Sequence, residues 1–279
     1  MLKNPVVRRF CKRKVSVIAL IVLLLFILAG IFGPIVWRVD PIEQNYTERY
    51  ASFSLTHPLG TDNLGRDTLS RMLNGARTSL SISFVGVFLG TCVGAMLGVL
   101  AGYFGGWVDT VIGRFIDVLL AFPGLLLAIT IVAILGAGTE NTMYAIAIFG
   151  IPNICRMVRG YVIRLKKSEH VEAAIVMGSS HARIIYTHII PNAVSQIIVN
   201  VTLNLGTAIL TASSLSYLGL GVTAPYPEWG AMLSTAREVI MTHPVQVLIP
   251  GLTITIVVMS FSLVGDGLRD ALDPRLKNS

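Results

Sequence analysis

Long apolar runs alternate with short polar intervals along nearly the whole chain. A helix that crosses a bilayer needs roughly 20 mostly apolar residues. Residues 15–37, 80–104, 118–137 and 245–264 meet that length. Residues 193–220 meet it with many small polar side chains. Residues 142–162 are the least apolar, because Asn153, Arg156 and Arg159 crowd one end. The pattern predicts an all-α membrane protein of six transmembrane helices. The first run is too long for a signal peptide and lacks a small-residue cleavage site. One stretch interrupts the rhythm: EHVEAAIVMGSSHARIIYTHIIPN, residues 169–192, is mixed in polarity, helix-like and set between two apolar segments.

Finer patterns lie inside these runs. In the polar interval 38–79, Leu69, Met72, Leu73 and Ala76 fall on one helical face behind a Thr61-Asp62-Asn63 cap. This predicts either a short helix at the membrane interface or a loop tied to the bundle. In the second run, Gly86, Gly90, Gly94, Gly98 and Gly102 recur every four residues. Such a smooth seam marks close helix–helix contact in lipid. Tight packing inside this subunit is its simplest use, and a moving or inter-subunit contact is the other. In the fifth run, Asn200, Asn204, Thr207, Thr211 and Ser214 form a polar seam. It either lines a solute path or hydrogen-bonds to another helix.

Charge then orients the spans. Only 13% of the residues are charged, against about 25% in soluble domains. Lys and Arg favour the cytoplasmic side of a membrane. The N-terminal tail carries Lys3, Arg8, Arg9, Lys12, Arg13 and Lys14. Six spans starting from an inside tail also place inside Arg114, the group Arg156, Arg159, Arg164, Lys166, Lys167 and Arg183, and the group Arg269, Arg275 and Lys277. These are most of the 22 basic residues. Both termini and residues 169–192 are therefore expected in the cytoplasm. The net charge of +7 follows topology and does not point to nucleic acid.

Candidate chemistry is sparse. No G-x-x-x-x-G-K-[ST] pattern occurs, so the chain is not expected to bind ATP by that route. Cys11, Cys92 and Cys155 are scattered, and His57, His170, His181, His188 and His243 are spread over both sides, so no metal site is expected. The span centres hold no ionisable residue, unlike an ion-coupled carrier. Asp109, Arg114 and Asp117 surround a short inner turn between the second and third spans, where structural ion pairs are the favoured reading. The chain shows neither catalysis nor an energy source, so any transport it performs must be driven by a partner.

The interrupting stretch reads as a helical hairpin. A Ser168 cap and acidic first turn start one helix, Gly178 ends or bends it, and Ile184, Ile185, His188 and Ile189 continue at helical spacing until Pro191 breaks the second helix. Ala173, Ala174 and Gly178 leave a surface that another protein can approach closely. The alternative is a linker packed on its own bundle.

The segment EAAIVMGSSHARIIYTHIIP resembles the EAA signature of transmembrane subunits of bacterial ABC importers, with Glu172, Ala173, Ala174 and Gly178 at the matching positions and Ile190-Pro191 where Leu-Pro is common. The stretches HPLGTDNLGRDTLSR, DVLLAFPGLLLAI, SLSYLGLGVTAPYPEWGAML and GDGLRDALDPRL are similar to the C-type permease subunit of the dipeptide/oligopeptide/nickel family. The resemblance implies a type I ABC importer permease fold. Its tail, first span and extracytoplasmic segment would occupy residues 1–79, and its permease core residues 80–279, with the EAA loop at 169–192. It also implies a second homologous permease, two ATPase subunits that bind ATP, and an extracytoplasmic solute-binding protein, all around a chain that binds no cofactor itself. Glu172, Ala173, Ala174 and Gly178, with Ser179 and Arg183 beside them, would form the coupling contact to the ATPase. Family members carry peptides, glutathione, nickel or metal chelates, and short peptides are the expected solute, imported across the inner membrane.

Overall fold

The computed structural model describes residues 5–272 of the chain. Lys3, Arg275, Lys277 and the end of GDGLRDALDPRL lie outside them. The described residues form eleven α-helices and no named strand. A short helix, α1 (Pro5–Lys12), precedes the first apolar helix, α2 (Lys14–Val36). The N-terminal end of α2 is tied to the end of the last helix, α11 (Val245–Leu272), by an Arg13–Asp270 ion pair. Nearby, Ser16 Oγ donates to the Leu263 carbonyl at 3.0 Å.

The second apolar run belongs to α3 (Thr68–Phe104), a single helix of 37 residues. The face Leu69–Ala76 is therefore not a separate interfacial helix. No Gly or Pro stands between Ala76 and Leu80 to break the ladder, so the two predicted pieces fuse. Asp67, rather than Thr61-Asp62-Asn63, caps this helix: its Oδ1 accepts from the Ser70 amide at 2.6 Å. The same carboxylate accepts from Trp37 Nε1 at 3.0 Å and meets His57 Nδ1 at 2.8 Å. Asp62 instead organises the loop, pairing with Arg66 at 2.7 Å and accepting from the Leu64 amide at 2.9 Å. Gln246 Nε2 donates to the Thr61 carbonyl at 2.7 Å, so the interval 38–67 is a structured cap on the start of α11.

The glycine seam packs α3 on α6 (Thr139–Lys166), the most extensive helix pair in the fold. A Cβ at Gly90, Gly94 or Gly98 would come within 2.6, 2.8 or 2.7 Å of the carbonyl oxygens of Ala147, Ile151 and Cys155. Gly86 and Gly102 face the Met143 and Arg159 carbonyls in the same register. Residue numbers rise together on both helices, so α3 and α6 are parallel. The intervening chain must therefore recross the membrane once.

That return crossing differs from the straight third span expected at 118–137. It is a bent pair, α4 (Gly106–Leu120) and α5 (Gly124–Leu135), with 88° between the axes. Pro123 causes the break, because it lacks an amide hydrogen and pushes the preceding residue out of the helical region. Asp109, Arg114 and Asp117 thus lie along α4 and not around a short turn; the turn is Gly105-Gly106, both at positive φ. The two aspartates form ion pairs, with arginines of α6 and not with Arg114. Arg156 meets Asp117 at 2.7 Å, and Arg159 grips Asp109 through two nitrogens, tying α4 to α6. Counting the bent pair once, the described residues hold six helical elements long and apolar enough to cross a membrane.

After α6 come α7 (Glu169–Val176), α8 (His181–Ile184), a π-helical turn (Ile185–Ile189) and α9 (Ile190–Tyr217). Pro191 does not stop this second arm. The π turn shifts the ladder by one residue, with the Ile190 amide reaching the Ile185 carbonyl, and Asn192 Nδ2 satisfies the His188 carbonyl at 2.7 Å. The helix therefore enters the fifth span without a break. At the opposite end, α10 (Trp229–Ala236) is locked between α3 and α9. Glu228 is fully buried, accepting from Ser79 Oγ at 2.8 Å and from the Ala231 amide at 2.9 Å. Trp229 is also fully buried and donates to the Met72 carbonyl at 3.2 Å.

Candidate functional site: the interhelical hairpin

The hairpin at 169–192 is built from its backbone outward. The Ser168 side chain does not cap α7; its hydroxyl turns back to the Leu165 carbonyl at 2.6 Å, and acidic Glu169 and Glu172 occupy the first turn instead. The helix ends in two crossed bonds, Ser179 amide to Ala174 carbonyl at 3.1 Å and Gly178 amide to Ile175 carbonyl at 2.9 Å. This closure needs a left-handed residue, and Gly178 supplies it at φ +78°. Ser180 then caps the second arm, accepting from the Arg183 amide at 3.4 Å.

Four side chains seat the hairpin. Val171, Ala174, Ile184 and Ile189 are buried against Val99 and Tyr103 of α3 and Ile154, Val158 and Val162 of α6. Ala174 is 3% exposed. Of the two alanines expected to form an approachable surface, only Ala173 does so, because the helical turn points Ala174 at the bundle. Polar contacts fix the same seat. Tyr103 Oη and His181 Nδ1 are 2.9 Å apart, and Lys166 Nζ donates to the Tyr103 carbonyl at 2.8 Å while sitting 5.4 Å above its ring.

What remains outside is a small apolar tip with charged flanks. Val176 is 86% and Met177 78% exposed, with Ile175, Ala173 and Gly178 beside them. Glu172 and Arg183 are exposed and their side chains make no hydrogen bond or ion pair within the described residues. Ser179 is half-buried. The chemistry available is docking: an apolar knob, two free charges of opposite sign and a rigid support. Ile175, Val176 and Met177 lie within the stretch 172–178 expected to make the contact, but nothing in the sequence marked them as its exposed apolar tip. Tyr103, His181 and Lys166 carried no sequence signal of contact, being far apart in the chain.

The second candidate set is the polar seam of α9. Asn204 Nδ2 donates to Asn200 Oδ1 at 2.8 Å, Thr211 Oγ1 to the Thr207 carbonyl at 2.9 Å and Ser214 Oγ to the Leu210 carbonyl at 2.7 Å. Much of its hydrogen bonding is thus spent within the helix. Thr211 is buried, Asn200, Asn204 and Ser214 are half-buried, and Thr207 is exposed. Asn204 and Thr207 border a cavity of about 130 Å³ shared with Thr91 of α3 and Asn153 of α6. The Thr91 hydroxyl is buried without a partner there. The structure brings Asn204 and Thr207 to this cavity, and it leaves Asn200, Thr211 and Ser214 out of its lining. Among the described residues no group of three His, Cys, Asp or Glu side chains is placed to hold a metal ion.

The chain resembles known proteins along most of its length. Residues 94–278 match the family described as binding-protein-dependent transport system inner membrane component, and residues 5–55 match the N-terminal TM domain of oligopeptide transport permease C. The chain is 47% identical to the dipeptide transport system permease protein DppC of Alkalihalophilus pseudofirmus, over 96% of this chain and 88% of that protein. It is 45% identical to the glutathione transport system permease protein GsiD of Escherichia coli, over 97% of this chain and 89% of that protein. Among solved structures it is similar to the inward-facing MetNI methionine ABC transporter, with a TM-score of 0.60 at 18% identity, covering 73% of this chain and 97% of that one. An amino acid ABC transporter solved with histidines matches with a TM-score of 0.53 at 17% identity, covering 70% of this chain and 90% of that one. The six-span helical fold is that of ABC importer permeases, and the chain belongs to the binding-protein-dependent transport system inner membrane component family.

Proposed function

We propose that this permease subunit imports short peptides, working beside a second homologous permease, and that its hairpin at 169–192 receives the force of ATP hydrolysis in two partner ATPases. The observation that carries the reading is the contrast within the hairpin: a buried, hydrogen-bonded base and an apolar tip left open at Val176 and Met177. Exposed apolar tips on rigid supports serve as docking knobs, since each seated side chain gains about 1.5–3 kcal/mol on burial. Glu172, Ala173, Gly178, Ser179 and Arg183 flank that tip, and Ala174 serves by holding it. ATP belongs to the partners.

Orientation follows from the basic residues. The hairpin end carries Arg13, Arg164, Lys166, Lys167 and Arg183, which supports a cytoplasmic position for it and for both termini. The opposite face, with the structured interval 38–67 and α10, would then meet the solute-binding protein. Residues 1–79 would anchor and cap a permease core at 80–279, although α3 runs unbroken through their boundary. Asn204, Thr207, Asn153 and Thr91 would line part of the solute path, because amides and hydroxyls around a mid-span cavity gain from water or cargo and lose in lipid. Short peptides cover the solutes of both relatives, a dipeptide and glutathione, and among the described residues no cluster of metal-binding side chains favours a metal cargo.

The test is uptake by the assembled transporter in proteoliposomes, with Val176→Asp as the variant. We expect assembly of the two permeases to persist and ATP-driven uptake of dipeptide or glutathione to fall at least tenfold. Uptake at the wild-type rate would remove the hairpin from the coupling role.

A further inference from the structure

Arg77 is an exposed guanidinium on α3 whose side chain has no hydrogen bond, ion pair or ring contact within the described residues. It stands far along the bundle from the N-terminal end of α2. A Cβ on Gly30 of α2 would lie 3.1 Å from the Arg77 amide nitrogen, so the two residues are level. Gly30 is about 24 Å from Lys14 along α2 at roughly 1.5 Å per residue. Against a hydrocarbon core of about 30 Å, Arg77 sits near the membrane edge opposite the Arg13–Asp270 pair. A lone charge at that depth must find a counter-charge or reach the headgroups.

The surface below it supplies the rest of a site. Arg77 borders a cavity of about 360 Å³ between α2, α3, α9 and α11. Ile27, Ile31, Phe84, Ile209 and Phe261 line it, so its walls are largely hydrocarbon. Two of its lining residues, Ile31 and Phe84, are exposed, so the cavity reaches the apolar outer surface of the bundle. Ser81, also exposed, is the polar neighbour on the rim.

We propose that this groove binds an anionic glycerophospholipid from the leaflet opposite the hairpin, its phosphate on Arg77 and an acyl chain in the cavity. Charge complementarity selects the occupant: the site offers one unsatisfied cation above an apolar slot and no carboxylate. Basic groups near a membrane surface favour anionic lipid by about 1 kcal/mol each, about fivefold in retention. The lipid would bridge α2 to the permease core on the membrane side.

Native mass spectrometry of the purified whole transporter, offered phosphatidylglycerol or phosphatidylcholine, tests this. The wild type should retain phosphatidylglycerol preferentially. Arg77→Gln should lower that retention about fivefold, Arg77→Lys should keep most of it, and Ser81→Trp, which obstructs the slot without touching the charge, should lower retention of both lipids. Because both side chains are exposed, the variants should elute as intact complexes. Equal retention of the two lipids by the wild type, or unchanged retention in Arg77→Gln, overturns the proposal. So does efficient cross-linking of Arg77→Cys to the second permease, which would make the groove a protein interface.

Discussion

Gly178 shows how one residue separates shape from contact. Its φ of +78° closes α7, yet an added Cβ there would meet nothing within 4 Å. The constraint is conformational and not spatial. Asp and Asn tolerate left-handed geometry better than other side chains. Gly178→Asn should therefore fold and insert, and Gly178→Asp should do so equally well, each at a cost of about 1 kcal/mol or less. If the tip docks on a partner, Asp places a bulky charge in the contact and should abolish uptake, while Asn should lower it only severalfold. Membrane-fraction blots beside uptake assays check both halves. Equal uptake by the two variants would remove charge exclusion from the explanation. The alanines teach a related point. Sequence alone grouped Ala173 with Ala174, but adjacent residues on a helix point about 100° apart, and only the folded seat reveals that one is surface and its neighbour core.

At the scale of elements, long apolar helices were legible and their breaks were not. Five of the six expected spans are single helices, because length and hydropathy are local properties, and the third is the bent pair. The bend at Pro123 depended on which proline breaks a helix: Pro34, Pro152 and Pro250 lie inside helices, and Pro123 alone parts α4 from α5. Pro191 was expected to break a helix and does not, since a π turn absorbs it. The glycine seam was legible as a packing device, but its partner was not. The structure shows α3 and α6 in parallel contact, carbonyl against glycine. Replacing Gly90 with Val would drive a side chain into the Ala147 carbonyl 2.6 Å away. We expect about 1–3 kcal/mol or more of destabilisation, read as loss of detergent-stable protein on thermal size-exclusion chromatography. Gly150→Ala is the control, because a Cβ there meets nothing within 4 Å. Wild-type stability of Gly90→Val would contradict the packing account.

Across the whole molecule, the fold connects two ends through rigid rods. At one end, Asp67, Asp62 and the buried Glu228 bind the 38–67 interval, α3 and α10 together. At the other, Tyr103, Lys166 and His181 fasten the hairpin to the far ends of α3 and α6. The glycine seam welds those helices to each other, so a push on the hairpin is delivered to both. The hairpin was legible in the sequence. The long-range polar contacts at both ends were not, because these join residues far apart in the chain and leave no periodic trace. The central claim is that the exposed tip of α7 meets an ATPase. Single cysteines at position 173 or 174, in the assembled transporter lacking other cysteines, test it most directly by bifunctional cross-linking. The account predicts that Ala173→Cys joins to an ATPase subunit, that buried Ala174→Cys joins far less, and that neither joins to the solute-binding protein. Cross-linking of Ala173→Cys to the solute-binding protein, or none to the ATPase, would contradict it.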